Sequence, residues 1–405
     1  MSRPSCPNSP DAFSRPDRAG EALQAEVMAE IMAATPAATM APPATATAAA
    51  HPFPARPAAS SPFQPLPFIP RRFLSNGHMQ TIMGNLLPRP NHLPAPTREM
   101  VEVSPASGSH VGGQIASLVL CLCHWQPPAV RSQRPTAIVL HGLEGSADSQ
   151  YVVGNANKLW RAGANVIRMN MRNCGGRNYE MERLSPTLYH SGLSGDVDAV
   201  MRFFLAREHL ESIALVGYSM GGNLALKLAG ELGADAPPQL RSVVGVSPAI
   251  DLAPSSDALH RPENLLYQRR FLRDLLKRFR RKATLFPRAY DPSHAAGIRS
   301  LREFDDRITA LYSGFLSAED YYYRAAAARV VDRIAVPALI LHALDDPFVR
   351  IAPETLGKIE ANPHITFLQT RQGGHCAFLA KPSGARGDDG YWAETTLLRF
   401  LLAHA

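Results

Sequence analysis

From residue 136 onward the chain alternates short aliphatic and β-branched runs with longer stretches whose apolar positions recur at helical spacing. Residues 136–141, 165–170, 212–217, 242–247, 337–343 and 365–369 read as strands, and short continuous apolar runs of this kind mark strands covered on both faces. Between them, 155–162, 195–207 and 221–232 carry apolar residues three and four apart and read as helices, and 391–404 closes the chain as an amphipathic helix. Two strand-like runs come earlier, at 100–103 and 114–124. Strands alternating with helices predict an α/β fold with a mostly parallel central sheet and helices on both faces. From Asp251 to about residue 333 the alternation stops and the pattern is helical, which predicts a helical cap insertion over 252–333. Upstream, 68–82 predicts an ordered segment that packs a helix onto the larger body.

Residues 1–65 differ in kind. They are rich in Ala, Pro, Ser and Thr, with few large apolar residues, and are expected to form a disordered arm before a domain at 66–405. Within the arm, 21–32 has the composition of a transient helix, and Met28, Met32 and Met40 are alternative translation starts. No run reaches the roughly 18 to 20 apolar residues that span a bilayer, and no secretory signal pattern opens the chain.

The charge is 42 basic against 35 acidic residues, a net +7, well short of a nucleic-acid-binding composition. Much of the excess lies at the start of the insertion, in Gln268-Arg-Arg-Phe-Leu-Arg-Asp-Leu-Leu-Lys-Arg-Phe-Arg-Arg-Lys282. Phe271, Leu272, Leu275, Leu276 and Phe279 fall on one helical face, leaving the rest cationic. Two readings stand: a packed helix with a solvated basic face, or a lid that meets anionic headgroups or acidic substrates. Five scattered cysteines (Cys6, Cys121, Cys123, Cys174, Cys376) form no CxxC pair or zinc-ligand cluster, so a reducing cytoplasm is expected, with peripheral membrane contact through 268–282 as the alternative setting. Cys121 and Cys123 fall on one face of their strand, and Cys376 reads as a small buried filler. The oligomeric state stays open.

The candidate chemistry starts at Gly217-Tyr218-Ser219-Met220-Gly221, between a strand and a helix. A serine on so sharp a turn needs small residues two before and two after it, which glycine supplies here. Its hydroxyl needs a base, and the base an orienting acid. Both follow in the chain order expected of doubly wound hydrolases: Asp346 after the strand at 337–343, then His375 after Gly373-Gly374. Asp345, which would otherwise cap the turn, and Asp251 are the alternative acids. The negative charge that develops on the substrate oxygen needs N–H donors, for which Met220 and Leu143 are placed, with Gly142 leaving room. His141 reads as a brace for that loop. The reaction class is hydrolysis of a carboxylic ester through an acyl-serine, without metal or organic cofactor. The simple oxyanion loop and the apolar insertion lean toward medium-chain acyl groups. Acyl transfer to an alcohol would use the same residues, and a non-catalytic lipid-binding protein would show a broken set.

His141-Gly-Leu-Glu-Gly-Ser146, Asn170-Met-Arg-Asn-Cys-Gly-Gly176, Gly217-Tyr-Ser-Met-Gly-Gly-Asn223, Leu344-Asp-Asp-Pro-Phe348 and Gly373-Gly-His375 together resemble the YheT-like branch of the α/β-hydrolase superfamily. Asn76-Gly-His-Met-Gln-Thr-Ile82 resembles that branch's N-terminal signature. The resemblance spans about residues 66–405. It implies the α/β-hydrolase fold and a serine esterase or lipase-like activity on a small ester or lipid, with Ser219, Asp346 and His375 as the catalytic set. Some members carry an N-terminal membrane anchor; this sequence departs from them there, so an integral membrane location is not expected.

Overall fold

A computed structural model of the chain describes residues 63–103, 116–383 and 388–405. The helix expected at 21–32, the candidate start methionines and all of the predicted arm but its last three residues lie outside that range.

Eight strands form one sheet: β1 (Thr97–Val103), β2 (Ser117–His124), β3 (Thr136–Leu140), β4 (Asn165–Met169), β5 (Ile213–Tyr218), β6 (Leu240–Val246), β7 (Ala338–Ala343) and β8 (Ile365–Thr370). Their spatial order is β1-β2-β4-β3-β5-β6-β7-β8. From β4 to β8 all neighbours are parallel, while β2 runs antiparallel to both β1 and β4. The longer helices are α1 (Gly77–Leu86), α2 (Gln150–Arg161), α3 (Ser194–Glu208), α4 (Met220–Leu232), α5 (Leu252–Leu259), α6 (Leu265–Leu285), α7 (Ala318–Ala325), α8 (Pro353–Ala361) and α9 (Trp392–Ala403).

The two-residue period of the strands divides the core. Ala137 and Val139 of β3 and Ala214 and Val216 of β5 pack with Val152 of α2 and Phe400 of α9. Their neighbours Ile138, Leu140, Ile213 and Leu215 pack on the other face with residues of α3, α4 and α8. Cys121 and Cys123 share that second face, as their spacing predicts. Burial on both sides explains why these strands are continuous apolar runs.

Helix α2 starts at Gln150, five residues before the predicted position. Its first turns hold Val152, Val153 and Gly154, poor helix formers that the sheet nevertheless buries. Helix α8 had no sequence forecast, because it buries only Thr355 and Ile359 and presents no extended period.

The insertion joins β6 to β7. It holds α5, α6 and α7 with short helical turns between them, and builds its own apolar cluster around Leu272, Phe279, Tyr290, Leu301, Phe304 and Tyr312. No helix among the described residues is long and apolar enough to cross a membrane.

Candidate active site

Ser219 ends the run of β5 and opens α4, with φ 54° and ψ −117°. A non-glycine residue in that region carries a strain of about 1–3 kcal/mol, tolerated only where the surroundings over-determine it. The surroundings here are backbone. A Cβ on Gly217 would lie 2.1 Å from the Gly221 carbonyl oxygen, and one on Gly221 would lie 2.5 Å from that of His141. Neither neighbour can move aside, so any side chain at either position would break the turn.

Asp346 lies in the turn after β7 and is fully buried. Its Oδ1 accepts the N–H groups of Phe348 at 3.0 Å and Val349 at 2.9 Å, and its Oδ2 lies 2.8 Å from Nδ1 of His375. Burial alone would raise the carboxyl, but the imidazole and these hydrogen bonds outweigh it and hold it below its ordinary value. Burial likewise disfavours a charged His375; the adjacent Cys376 sulfur and the Asp346 carboxylate favour it more and push the imidazole up to about 10. His375 and Ser219 line the same cavity.

The alternative acids are engaged elsewhere. Asp251 accepts the Ala352 N–H at 2.8 Å and the Thr355 hydroxyl at 2.9 Å, anchoring the start of α8. Asp345 Oδ1 accepts the Gly374 N–H at 2.9 Å and so fixes the loop that carries His375.

On the oxyanion side, Met220 occupies the first position of α4, where a helix has no acceptor for its N–H. Among the described residues neither its N–H nor that of Leu143 meets a protein acceptor. The Gly142 N–H is bound to the Tyr151 hydroxyl at 2.8 Å, which fixes the turn before Leu143. His141 is buried, and its Nε2 accepts the Met171 N–H at 3.0 Å. The proton therefore sits on Nδ1, 2.8 Å from the Gly142 carbonyl. Burial pushes its pKa down to about 4, so it stays neutral and braces the loop.

Several positioning residues had no forecast role. Gln80 of α1 donates to the Leu74 and Leu379 carbonyls and accepts the Leu379 N–H, tying α1 to the chain just past His375. The Thr81 hydroxyl accepts the His375 N–H at 2.8 Å. The N-terminal signature thus cradles the histidine loop from about 300 residues away in sequence. The Asn170–Gly176 motif does the same for the loop that carries Leu143: Asn170 accepts the Ala147 N–H at 2.8 Å and the Met171 N–H donates to His141, while Arg172 pairs with Asp196 of α3. These partners meet only through long-range packing, and the quoted motifs were their sole trace. Cys376 is not the buried filler expected. It is half-buried and lines the cavity, because φ 64° and a bond from its N–H to Ser247 turn it toward that space.

The basic helix requires a larger correction. Its cations are not one solvated face. Arg278 binds both carboxylate oxygens of Glu144, at 3.0 and 3.1 Å, and reaches Glu182 at 3.2 Å. Arg281 binds Glu182 at 2.6 and 2.8 Å. Lys282 is fully buried against the Glu182 and Ser185 carbonyls, and burial pushes its pKa well below the ordinary range despite nearby Glu182. Arg269, Arg270, Arg273, Lys277 and Arg280 remain exposed.

Two cavities meet at Ser219. The outer one, of 270 Å³, opens between Ile82 and Leu86 of α1, Arg270 and Phe271 of α6, and His375. The inner one, of 130 Å³, lies under the cap between Met220, Leu252, Leu275, Phe304 and Val349.

A family model described as alpha/beta hydrolase fold matches residues 135–382. The chain belongs to the α/β-hydrolase fold family, and within it is esterase- and lipase-like. It is 33% identical to the Escherichia coli (strain K12) protein named "Putative esterase YheT", over 77% of this chain and 87% of that one. The branch suggested by the motifs is therefore shown. Phospholipase ABHD3 of Bos taurus is 28% identical over 61% of this chain and 59% of its own, so the chain spans about three fifths of that relative. Monoacylglycerol lipase of Saccharomyces cerevisiae is 26% identical over 66% of this chain and 59% of its own.

Proposed function

We propose that the protein hydrolyses short- to medium-chain acyl esters, acylglycerols included, through an acyl-serine intermediate. The observation that carries this reading is the 2.8 Å contact between His375 Nδ1 and buried Asp346, on a cavity whose wall includes the strained Ser219.

With Nδ1–H donated to Asp346, Nε2 is the nitrogen left to take the Ser219 proton. Ser219 Oγ then attacks the ester carbonyl carbon. The oxygen gains a negative charge that the Leu143 and Met220 N–H groups receive. On collapse the C–O bond to the alcohol breaks, and His375 returns its proton to the leaving oxygen. Water, deprotonated by the same imidazole, then releases the acid. The inner cavity takes the acyl chain and the outer one the alcohol. An apolar cavity of about 150 Å³ accommodates benzene, so the 130 Å³ inner cavity suits a chain of about four to six carbons. The phospholipase and monoacylglycerol lipase names of two relatives support an ester of the lipid kind.

A p-nitrophenyl ester chain-length series on the wild type and on Ser219→Ala tests both parts. Expected are a peak at short to medium chains and a loss of at least about 10⁴-fold in Ser219→Ala. Turnover that survives the substitution, or a wild type that a fluorophosphonate probe leaves unlabelled, would remove Ser219 as nucleophile. A preference for long chains would remove the inner cavity as the acyl site.

A further inference from the structure

We propose that the rim of the outer cavity is a docking surface for an anionic phospholipid bilayer. This surface goes beyond the hydrolase reading and does not depend on it. Helix α1 turns Gly77, Gln80 and Thr81 inward, and its opposite face holds Met79, Ile82, Met83 and Leu86, at the spacing of an apolar helical stripe. Met79, Ile82 and Leu86 are 45%, 42% and 69% exposed. On α6, Leu266 is 78% exposed. The two helices touch: His78 stacks on Tyr267, with Nδ1 3.3 Å from its hydroxyl.

Along the exposed side of α6, Arg269, Arg273, Lys277 and Arg280 follow at helical spacing, with Arg270 at the cavity itself. The acids lining the same cavity are Glu144, Asp274 and Glu394, each paired with an arginine (Arg278, Arg273 and Arg89), and Glu263 is exposed just before α6. The result is an apolar ridge and a row of cations at a cavity that Ser219, Ile82, Leu86 and Arg270 all line. Apolar side chains inserted at the acyl boundary beside cations at the phosphate level are the pattern of an interfacial surface.

Other occupants fit less well. A two-fold contact with a second copy would bring the cation row against itself. Residues 1–62 carry five acidic and four basic residues and offer little opposite charge.

The test is sedimentation of the full chain with phosphatidylcholine vesicles, alone or mixed equally with phosphatidylglycerol. It uses the wild type, Ser219→Ala, Arg269→Glu/Lys277→Glu and Met79→Glu. Wild type and Ser219→Ala are expected to bind only the anionic vesicles, and less as salt rises. The double variant should bind at least about 25-fold more weakly, at about fivefold per cation. Met79→Glu should also weaken binding. Unchanged Tm values show that the variants are folded, and Ser219→Ala separates binding from turnover. Three results would overturn the proposal: equal binding to neutral vesicles, double-variant binding like wild type, or a wild-type dimer that Met79→Glu dissociates.

Discussion

The loops at the carboxyl ends of β5, β7 and β8 and the cap helix α6 treat charge in different ways. At the strand ends a single couple, Asp346 and His375, is surrounded by apolar groups and by N–H donors that leave the acid one geometry. Helix α6 carries many like charges and sorts them by position. One face sinks Arg278 and Lys282 into the body of the protein, where Glu144, Glu182 and three carbonyls receive them. The opposite face leaves Arg269, Arg273, Lys277 and Arg280 in water. Identical residue types therefore act as anchors on one face of a helix and as a surface on the other. What separates them is what each face meets, acidic groups on one side and water on the other.

The strongest effect should come from pH. His375 has to be neutral to take the Ser219 proton, and its raised pKa keeps it protonated through neutrality. The kcat/KM for a soluble ester is expected to climb about tenfold per pH unit up to a midpoint. That midpoint should lie above the roughly 6.5 of a free histidine, toward 10. A midpoint at or below the free value would show that Cys376 and Asp346 together do not offset the burial of the imidazole. The same couple sets a stability window. Asp346 is depressed, so its contribution is lost as pH falls through its folded value, below 3.8. His375 is raised, so its contribution is lost as pH rises through about 10.

Next comes the anchor. Arg278→Ala strips the bidentate cation from Glu144, while Glu182 keeps Arg281, and should cost about 3–5 kcal/mol in denaturant unfolding. A loss near zero would mean that α6 is not held by this pair. Thr81→Val removes the acceptor of the His375 N–H and should cost about 1–3 kcal/mol. Its kcat should fall more than its KM changes, because the base is displaced while the cavity is kept. Restoration by Thr81→Ser would assign the effect to the hydroxyl. Lys277→Ala, on the exposed face, should shift stability by less than about 0.5 kcal/mol. A loss comparable with that of Arg278→Ala would erase the distinction between the two faces.

The sheet was legible from sequence because burial on both faces makes each central strand an unbroken apolar run, and the helices between them repeat at their own period. Ser219, Asp346, His375, Leu143 and Met220 could be put forward as candidates for a related reason: a strained turn admits only glycine at Gly217 and Gly221, and the other groups follow strands in a set order. Helix α8 and the start of α2 were not, since each gains stability by burying residues whose local preferences are weak or adverse. The roles of Gln80, Thr81 and Arg172 were hidden because hydrogen bonds to partners about 300 residues away, or 24 for Arg172, leave no local pattern. By itself the sequence determined the alternation of elements, the sharp turn at Ser219 and the choice of candidate residues. Only the tertiary structure decided which charges of α6 are buried, because helical spacing reveals a face but not what stands opposite it.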